Sequence, residues 1–371
     1  MASPYRSRGT SILATAVASA MAAILVTPPM ATAAHTGISD TPGTPAPTPQ
    51  TALVVGGTSF PTLSESFMSS FTTTFSANLI NVGYPATIAP PFDGSYTLGD
   101  SIAAGSDILM ELITATYAVG THLVVWGISQ GALVLNVTQQ LLLNDPSAPP
   151  PSALTFVRVA DPAQASTGML NFAPDLALSK LLHFSMRTAP SESQYNTITI
   201  TNEYDGFADF PDKWGPLAVL NSFAGLFHRH GQTAWVDLSA VPDKNITTTV
   251  NSLGATTTNY LVPATFLPIT QPLREVGVPS PVVDELDRFL KPMIDAAYTR
   301  NDPPPPNGSS SGAELPEAAP LGVKPLKRER FGPPRMPSTY SLAQRKEATV
   351  PTASASPSRS AYSRISASGA R

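Results

Sequence analysis

The feature that most restricts this chain is the stretch from His122 to Leu143, HLVVW-GISQG-ALVLNVTQQLLL. A β-rich run, His122 to Trp126, enters Gly127-Ile128-Ser129-Gln130-Gly131, and a helical run, Gly131 to Leu143, follows at once. G-x-S-x-G between a strand and a helix is the sequence of a sharp turn that holds a serine at a strained backbone geometry. The flanking positions must lack side chains so that strand and helix can approach. Such a turn projects Ser129 Oγ beyond the strand end, at the positive end of the helix dipole. The Gln130 N–H then points into the same space and supplies half of an oxyanion hole.

Other apolar runs provide the sheet that such a turn needs. Thr51 to Val55 (TALVV) ends in Gly56-Gly57-Thr58, Ala153 to Val159 (ALTFVRV) is stopped by Asp161-Pro162, and Thr197 to Thr201 (TITIT) is a fourth strand candidate. Helical stretches are read near Ser64–Leu79 and Ser101–Tyr117. A last helix, Pro281 to Arg300, carries Val282, Val283, Leu286, Phe289, Leu290, Met293 and Ile294 at helical spacing and is kinked at Pro292. Apolar strands that do not alternate, each followed by a helix, predict an α/β fold with a mostly parallel central sheet and helices on both faces. Chemistry in such a sheet sits at the carboxyl ends of the strands.

A serine hydroxyl is a poor nucleophile until a base takes its proton, and the base needs an orienting carboxylate. Behind an elbow of this type the chain order is serine, acid, histidine. Three histidines follow Ser129. His183 precedes the acidic cluster, in a segment that reads as a lid, and fits poorly. His230, followed by the turn residue Gly231, is the first choice, and His228 the second. For the acid, TITIT runs into Asn202-Glu203-Tyr204-Asp205-Gly206-Phe207-Ala208-Asp209-Phe210-Pro211. Asp205 is preferred and Asp209 is its rival, the loser being a residue that caps the following turn. Asp161 is a more distant option whose neighbour Pro162 points to a turn.

The other half of the oxyanion hole is expected from the loop after the first strand, where Gly56-Gly57 lets the backbone approach a substrate and Thr58 N–H is the donor. A phosphate-cradling reading of Gly-Gly-Thr fails because no Lys-Ser/Thr pair follows. Asn136-Val137-Thr138 and Asn245-Ile246-Thr247 match a glycosylation pattern but carry no weight, the first lying in the elbow helix. The Met and aromatic residues between Met169 and Phe227 read as core in the main, with an acyl pocket as the second reading.

Composition narrows the chemistry further. The 371 residues contain no Cys, which excludes disulfides, a thiolate metal site and a cysteine nucleophile. Five His leave little for a metal centre, so neither a metal nor a cofactor is expected. The formal charge of −4 argues against a nucleic-acid partner, which would need a basic surface.

That −4 hides three unlike segments. Arg6 and Arg8 precede a charge-free stretch, Ser11 to Val26, then Pro28-Pro29 and Ala31-Thr32-Ala33. Basic, apolar, small-x-small describes a secretory signal peptide over residues 1–33, cleaved after Ala33, and hence a secreted or cell-envelope protein. An uncleaved anchor is the competing reading, although the run is shorter than the roughly 20 residues of a membrane span. A Pro/Thr-rich linker covers 34–50. Residues 301–371 open with NDPPPPNGSSSG and carry 10 Lys+Arg against 5 Asp+Glu, leaving 10 against 21 for the acidic 34–300. The tail reads as a solvated, disordered extension; a second reading has it touch an anionic envelope surface. One domain, 51–300, lies between.

Taken together, LVVGGT at 53–58, GISQG at 127–131, EYDGFADFP at 203–211 and His230-Gly231 resemble the PE-PPE domain of mycobacteria and relatives. Tyr260-Leu261-Val262-Pro263, Leu267-Pro268 and Pro272-Leu273-Arg274 extend the likeness, which spans about 51–300. The resemblance implies an α/β-hydrolase fold related to cutinases, with a Ser129, Asp205, His230 triad. It implies an esterase acting on acyl esters or lipids, or an acyltransferase that moves acyl chains onto trehalose or another envelope acceptor. The front of the chain carries a signal-like segment where a PE or PPE module would stand, which favours a general export route over type VII secretion. A non-catalytic envelope protein is the third reading, disfavoured because every triad position holds a competent residue.

Overall fold

The computed structural model describes residues 50–65, 67–68, 77–88, 96–118, 121–172, 189–190 and 192–302. They fall in the first of two compact units, Met1–Pro304; the second, Pro305–Arg371, lies outside the described residues. So do the expected signal peptide, the linker ahead of Gln50, the tail beyond Asp302 and His183.

Seven strands form one sheet. They are β1 (Gln50–Val55), β2 (Ala77–Val82), β3 (Leu123–Ile128), β4 (Leu154–Val159), β5 (Asn196–Asn202), β6 (Ile246–Val250) and β7 (Thr256–Val262). Their spatial order is β2-β1-β3-β4-β5-β7-β6, parallel throughout except for the antiparallel β6–β7 pair. The helices are α1 (Leu98–Thr116), α2 (Gln130–Leu143), α3 (Pro216–His228), α4 (Gln271–Glu275) and α5 (Ser280–Asp295). This is the mostly parallel α/β sheet that the apolar strands predict, of the α/β-hydrolase type that the family resemblance implies.

Alternate residues of the strands feed two cores, because successive side chains point to opposite faces. Leu53, Val55, Leu123, Val125 and Phe156 pack against Ile102, Leu109 and Ile113 of α1 and Leu133 and Leu135 of α2. Ala52, Val54, Val124, Trp126, Val157 and Ile200 face the other way, onto Leu63, Met68, Leu238 and Val241. Both faces of β3 are therefore covered, which is why HLVVW shows no polar alternation. Each fully buried Leu or Phe in these layers contributes roughly 1.5–3 kcal/mol.

Three expectations change. The helix expected near Ser64–Leu79 is wrong at its end: Ala77–Val82 is a strand, with Leu79 beside Ala52 and Asn81 beside Val54. The physical reason is tertiary. Asn81 donates through Nδ2 to Leu63 O and accepts from Leu63 N, so this segment trades intrahelical bonds for those of β1 and the loop before it. The last helix ends at Asp295, not Arg300, because the chain turns to bury Ala297 and Tyr298 beside Tyr204 and Leu267. Its first turn contains Pro281, and Pro292 lies inside it. The helix α3 and the β6–β7 hairpin are additions. Thr-rich β6 is largely exposed, so its sequence lacks the apolar signal that marked the central strands. At the near end, α1 begins three residues before the expected Ser101. Thr97 Oγ1 accepts from Asp100 N at 3.2 Å, and the acidic Asp100 sits in the first turn.

Candidate active site

The end of β3 and the start of α2 meet at Ser129, whose backbone is left-handed with φ 56° and ψ −118°. Such a conformation in a residue with a side chain persists only where its surroundings enforce it. Here Ser129 N donates to Val159 O at 2.9 Å, tying the turn to β4, while its carbonyl accepts from Ala132 N at 3.0 Å as α2 begins. The two glycines are needed for close approach, since neither has a positive φ. A Cβ on Gly127 would lie 2.6 Å from Gly131 O, and one on Gly131 would lie 2.4 Å from Val55 O.

From this turn Ser129 Oγ reaches His230 Nε2 at 2.9 Å. His230 Nδ1 lies 3.0 and 2.9 Å from Asp205 Oδ1 and Oδ2. A carboxylate at Nδ1 selects the tautomer that donates there, which leaves Nε2 to accept the serine proton. Asp205 is fully buried and His230 is 6% exposed. Phe207 lies edge-on to the His230 ring, centroids 4.7 Å apart, and its N–H donates to Asp205 Oδ1 at 2.9 Å. The residue after the acid's glycine thus fixes both the carboxylate and the ring.

The remaining candidates go elsewhere. Asp209 takes Arg300 in a two-pronged pair, Nη1 to Oδ1 at 2.6 Å and Nη2 to Oδ2 at 2.9 Å. Burial pushes its carboxyl up to about 6, although Arg300 pulls the other way. His228 ends α3 with Nδ1 3.4 Å from Glu275, away from Ser129's partner. Asp161 accepts from Ala163 N at 2.9 Å, the turn that Pro162 announced, and from Asn136 Nδ2. Arg158 donates to Asn136 Oδ1 at 2.6 Å, so a buried Arg-Asn-Asp cluster stands under α2. Burial raises Asp161, and Arg158 only partly offsets this.

The Gly56–Thr58 loop passes directly over the elbow: a Cβ on Gly57 would stand 3.3 Å from Ser129 Cβ. Gln130 opens α2, so its N–H belongs to the first turn that has no intrahelical acceptor. Its side chain is a feature that the sequence did not reveal. Gln130 Oε1 accepts from Thr58 Oγ1 at 3.3 Å, and Nε2 donates to Thr87 O at 2.7 Å. Beside it, buried Tyr84 donates to Gly56 O at 2.7 Å, and burial keeps its phenol protonated. A single side chain so braces the loops after β1 and β2 against the serine turn. Tyr84, Phe207 and Arg300 were also missed. The glycines could have pointed to Tyr84 as a loop partner, but nothing local to Asp209 points to a residue 91 positions away.

Among the described Met and aromatic residues between Met169 and Phe227, Met169, Tyr195, Tyr204, Phe207 and Phe210 are buried as expected of core, while Trp214 and Phe227 are exposed. Met169, Phe207, Phe210 and Leu226 bury together, with Phe172, Val219 and Phe223 against them. Among the described residues there is no group of three or more His, Cys, Asp or Glu that could hold a metal ion, and no helix long and apolar enough to cross a membrane.

Residues 76–299 match the PE-PPE domain. Diacyltrehalose acyltransferase Chp2 of Mycobacterium tuberculosis H37Rv is 40% identical over 230 residues, 59% of this chain and 62% of its own. SL1278 acyltransferase Chp1 of the same organism is 39% identical over 230 residues, 61% of this chain and 55% of its own. Its esterase PE16 is 31% identical over 261 residues, 68% of this chain and 49% of its own. The chain spans about half the length of the curated relatives it matches.

Proposed function

Because the chain belongs to the PE-PPE domain family, we propose that it is a serine esterase that cleaves acyl esters through an acyl-Ser129 intermediate. The observation that carries this reading is the unbroken line Asp205–His230–Ser129, with 2.9 Å between Nε2 and Oγ on a strained strand-to-helix turn. Ser129 Oγ attacks the ester carbonyl carbon as His230 Nε2 takes its proton. Asp205 holds the ring through Nδ1 and stabilises the imidazolium. The tetrahedral oxyanion is received by the N–H groups of Gln130 and Thr58, braced beforehand by the Gln130 side chain. Collapse breaks the bond to the alcohol, which leaves with the proton from Nε2. Water then adds to the acyl-serine as His230 takes its proton; collapse breaks the bond to Ser129 Oγ, which regains that proton from Nε2, and the acid is released.

A second reading exchanges that water for a sugar or lipid hydroxyl, which yields a new ester. The two relatives at 40% and 39% identity, both named acyltransferases, favour it. The first half-reaction is common to both, so one experiment serves. The full chain is expected to be labelled by a fluorophosphonate probe, and Ser129→Ala to remain unlabelled with turnover lower by on the order of 10⁶. Equal labelling of both would remove Ser129 from the chemistry. Incubation of the active protein with an acyl ester, with and without trehalose, separates the halves: free acid in both supports hydrolysis, and acyl-trehalose replacing it supports transfer.

We also infer export to the cell envelope or medium, from the order Arg6, Arg8, Ser11–Val26, Ala31-Thr32-Ala33. N-terminal sequencing of the protein from its native host is expected to begin at Ala34. A chain that still begins near Met1 in the membrane fraction would favour the anchor.

A further inference from the structure

Asp205 sits in a loop whose shape is set from outside. Its carbonyl accepts from Asp209 N at 2.7 Å, and the N–H of the preceding residue, Tyr204, donates to Asp209 Oδ2 at 2.7 Å. Asp209 thus bonds to the backbone on both sides of Asp205. Tyr204 is left-handed, φ 64°, a conformation that a bulky residue keeps only under restraint. The restraint comes from the far end of the domain. Arg300 grips both oxygens of Asp209 with its planar fork, and its guanidinium lies 4.0 Å over the Tyr298 ring. Tyr298 donates to Asp209 O at 3.3 Å. Tyr204 itself donates to Asp295 and accepts from Lys291, both on α5.

We propose that Arg300, acting through Asp209, is a positioning residue that fixes the direction in which Asp205 presents its carboxylate to His230. The proposal rests on the triad reading above. An arginine fork orients a carboxylate as a point charge does not, because two parallel bonds fix the plane. With Arg300 removed, Asp209 keeps its place beside Tyr204 but loses the orientation of its two oxygens. The left-handed turn at Tyr204 then relaxes, and Asp205 shifts relative to Nδ1.

Two readouts test this on the full chain. The first is the low-field proton resonance of His230 Nδ1–H bonded to Asp205, identified by its absence in Asp205→Asn. It is expected to shift or broaden in Arg300→Gln and to recover part-way in Arg300→Lys. The second is kinetic. Arg300→Gln is expected to lower kcat about 10–100-fold with KM little changed, since a small misplacement of a positioned group costs on that order. In the Asp205→Asn background the same substitution is expected to cost less than about twofold, because its route of action is already gone. An unchanged resonance in Arg300→Gln overturns the proposal, and so does an equal kcat loss in both backgrounds, which marks a general destabilisation. If Arg300→Gln does not fold, Arg300→Lys is read in its place, and an unshifted resonance there overturns the proposal. A wild-type chain that gives the resonance but no probe labelling defeats the esterase reading alone.

Discussion

Asp205 and Asp209, four residues apart in one loop, are given different work by the fold. Asp205 meets an imidazole and a backbone N–H, and Asp209 meets a guanidinium and the Tyr204 N–H. Both are buried, so each needs its partner. Asp209 has a consequence for stability with pH. Burial raises its carboxyl to about 6 against the pull of Arg300, whereas an unfolded aspartate titrates near ~3.9. The folded chain therefore holds this proton the more tightly. The group's stabilising contribution is complete below the unfolded value and is lost as the pH rises through about 6. Asp209→Asn has nothing to titrate there. The urea midpoint of the wild type is expected to fall relative to that of Asp209→Asn between about pH 4 and about pH 7. A constant offset across that range would show that the carboxyl keeps its ordinary value.

Among elements, the strand–turn–helix from β3 to α2 is where local sequence and tertiary contact agree. Its glycines answer to measurable clashes, and this predicts unequal costs for the same substitution. Gly131→Ala drives a Cβ to 2.4 Å from Val55 O and 2.7 Å from Gly56 O, both backbone. It is expected to cost about 1–3 kcal/mol, typical of overpacking, and to slow probe labelling by displacing the loop that carries Thr58. At Gly83 the added Cβ meets only Thr62 Cγ2 at 3.6 Å. Gly83→Ala is expected to stay within about 0.5 kcal/mol. Equal unfolding midpoints for the two variants would refute the close approach at the elbow. The central strands were legible because burial on both faces writes an unbroken apolar run. The edges were not. In β2, ANLINV carries two Asn and follows residues at helical spacing, so its identity depends on the pairing with β1. In β6 and β7, threonines serve a half-solvated antiparallel pair whose turn is closed by left-handed Gly254.

Over the whole molecule, the sheet brings together residues from four distant places. Thr58 comes from the end of β1, Ser129 from β3, Asp205 from beyond β5, and His230 from behind α3. All lie past carboxyl ends of strands or the elements that follow them. A parallel sheet makes this inevitable, since every crossover returns the chain to the same side. The segment beyond α5 then closes back on the loop of Asp205 through Tyr298 and Arg300. By itself the sequence determined what depends on neighbours within a few residues. That includes the class of fold from its unbroken apolar strands, the elbow from two glycines around a serine, the order of serine, acid and histidine, and the acidic charge of 34–300. Only the tertiary structure decided which of two similar aspartates faces His230, which glutamine side chain braces the loops, and which cation anchors the acid loop. Those choices rest on contacts across 25 to 91 residues. A carboxylate's role is set by the group that arrives opposite it, and only folding brings that group.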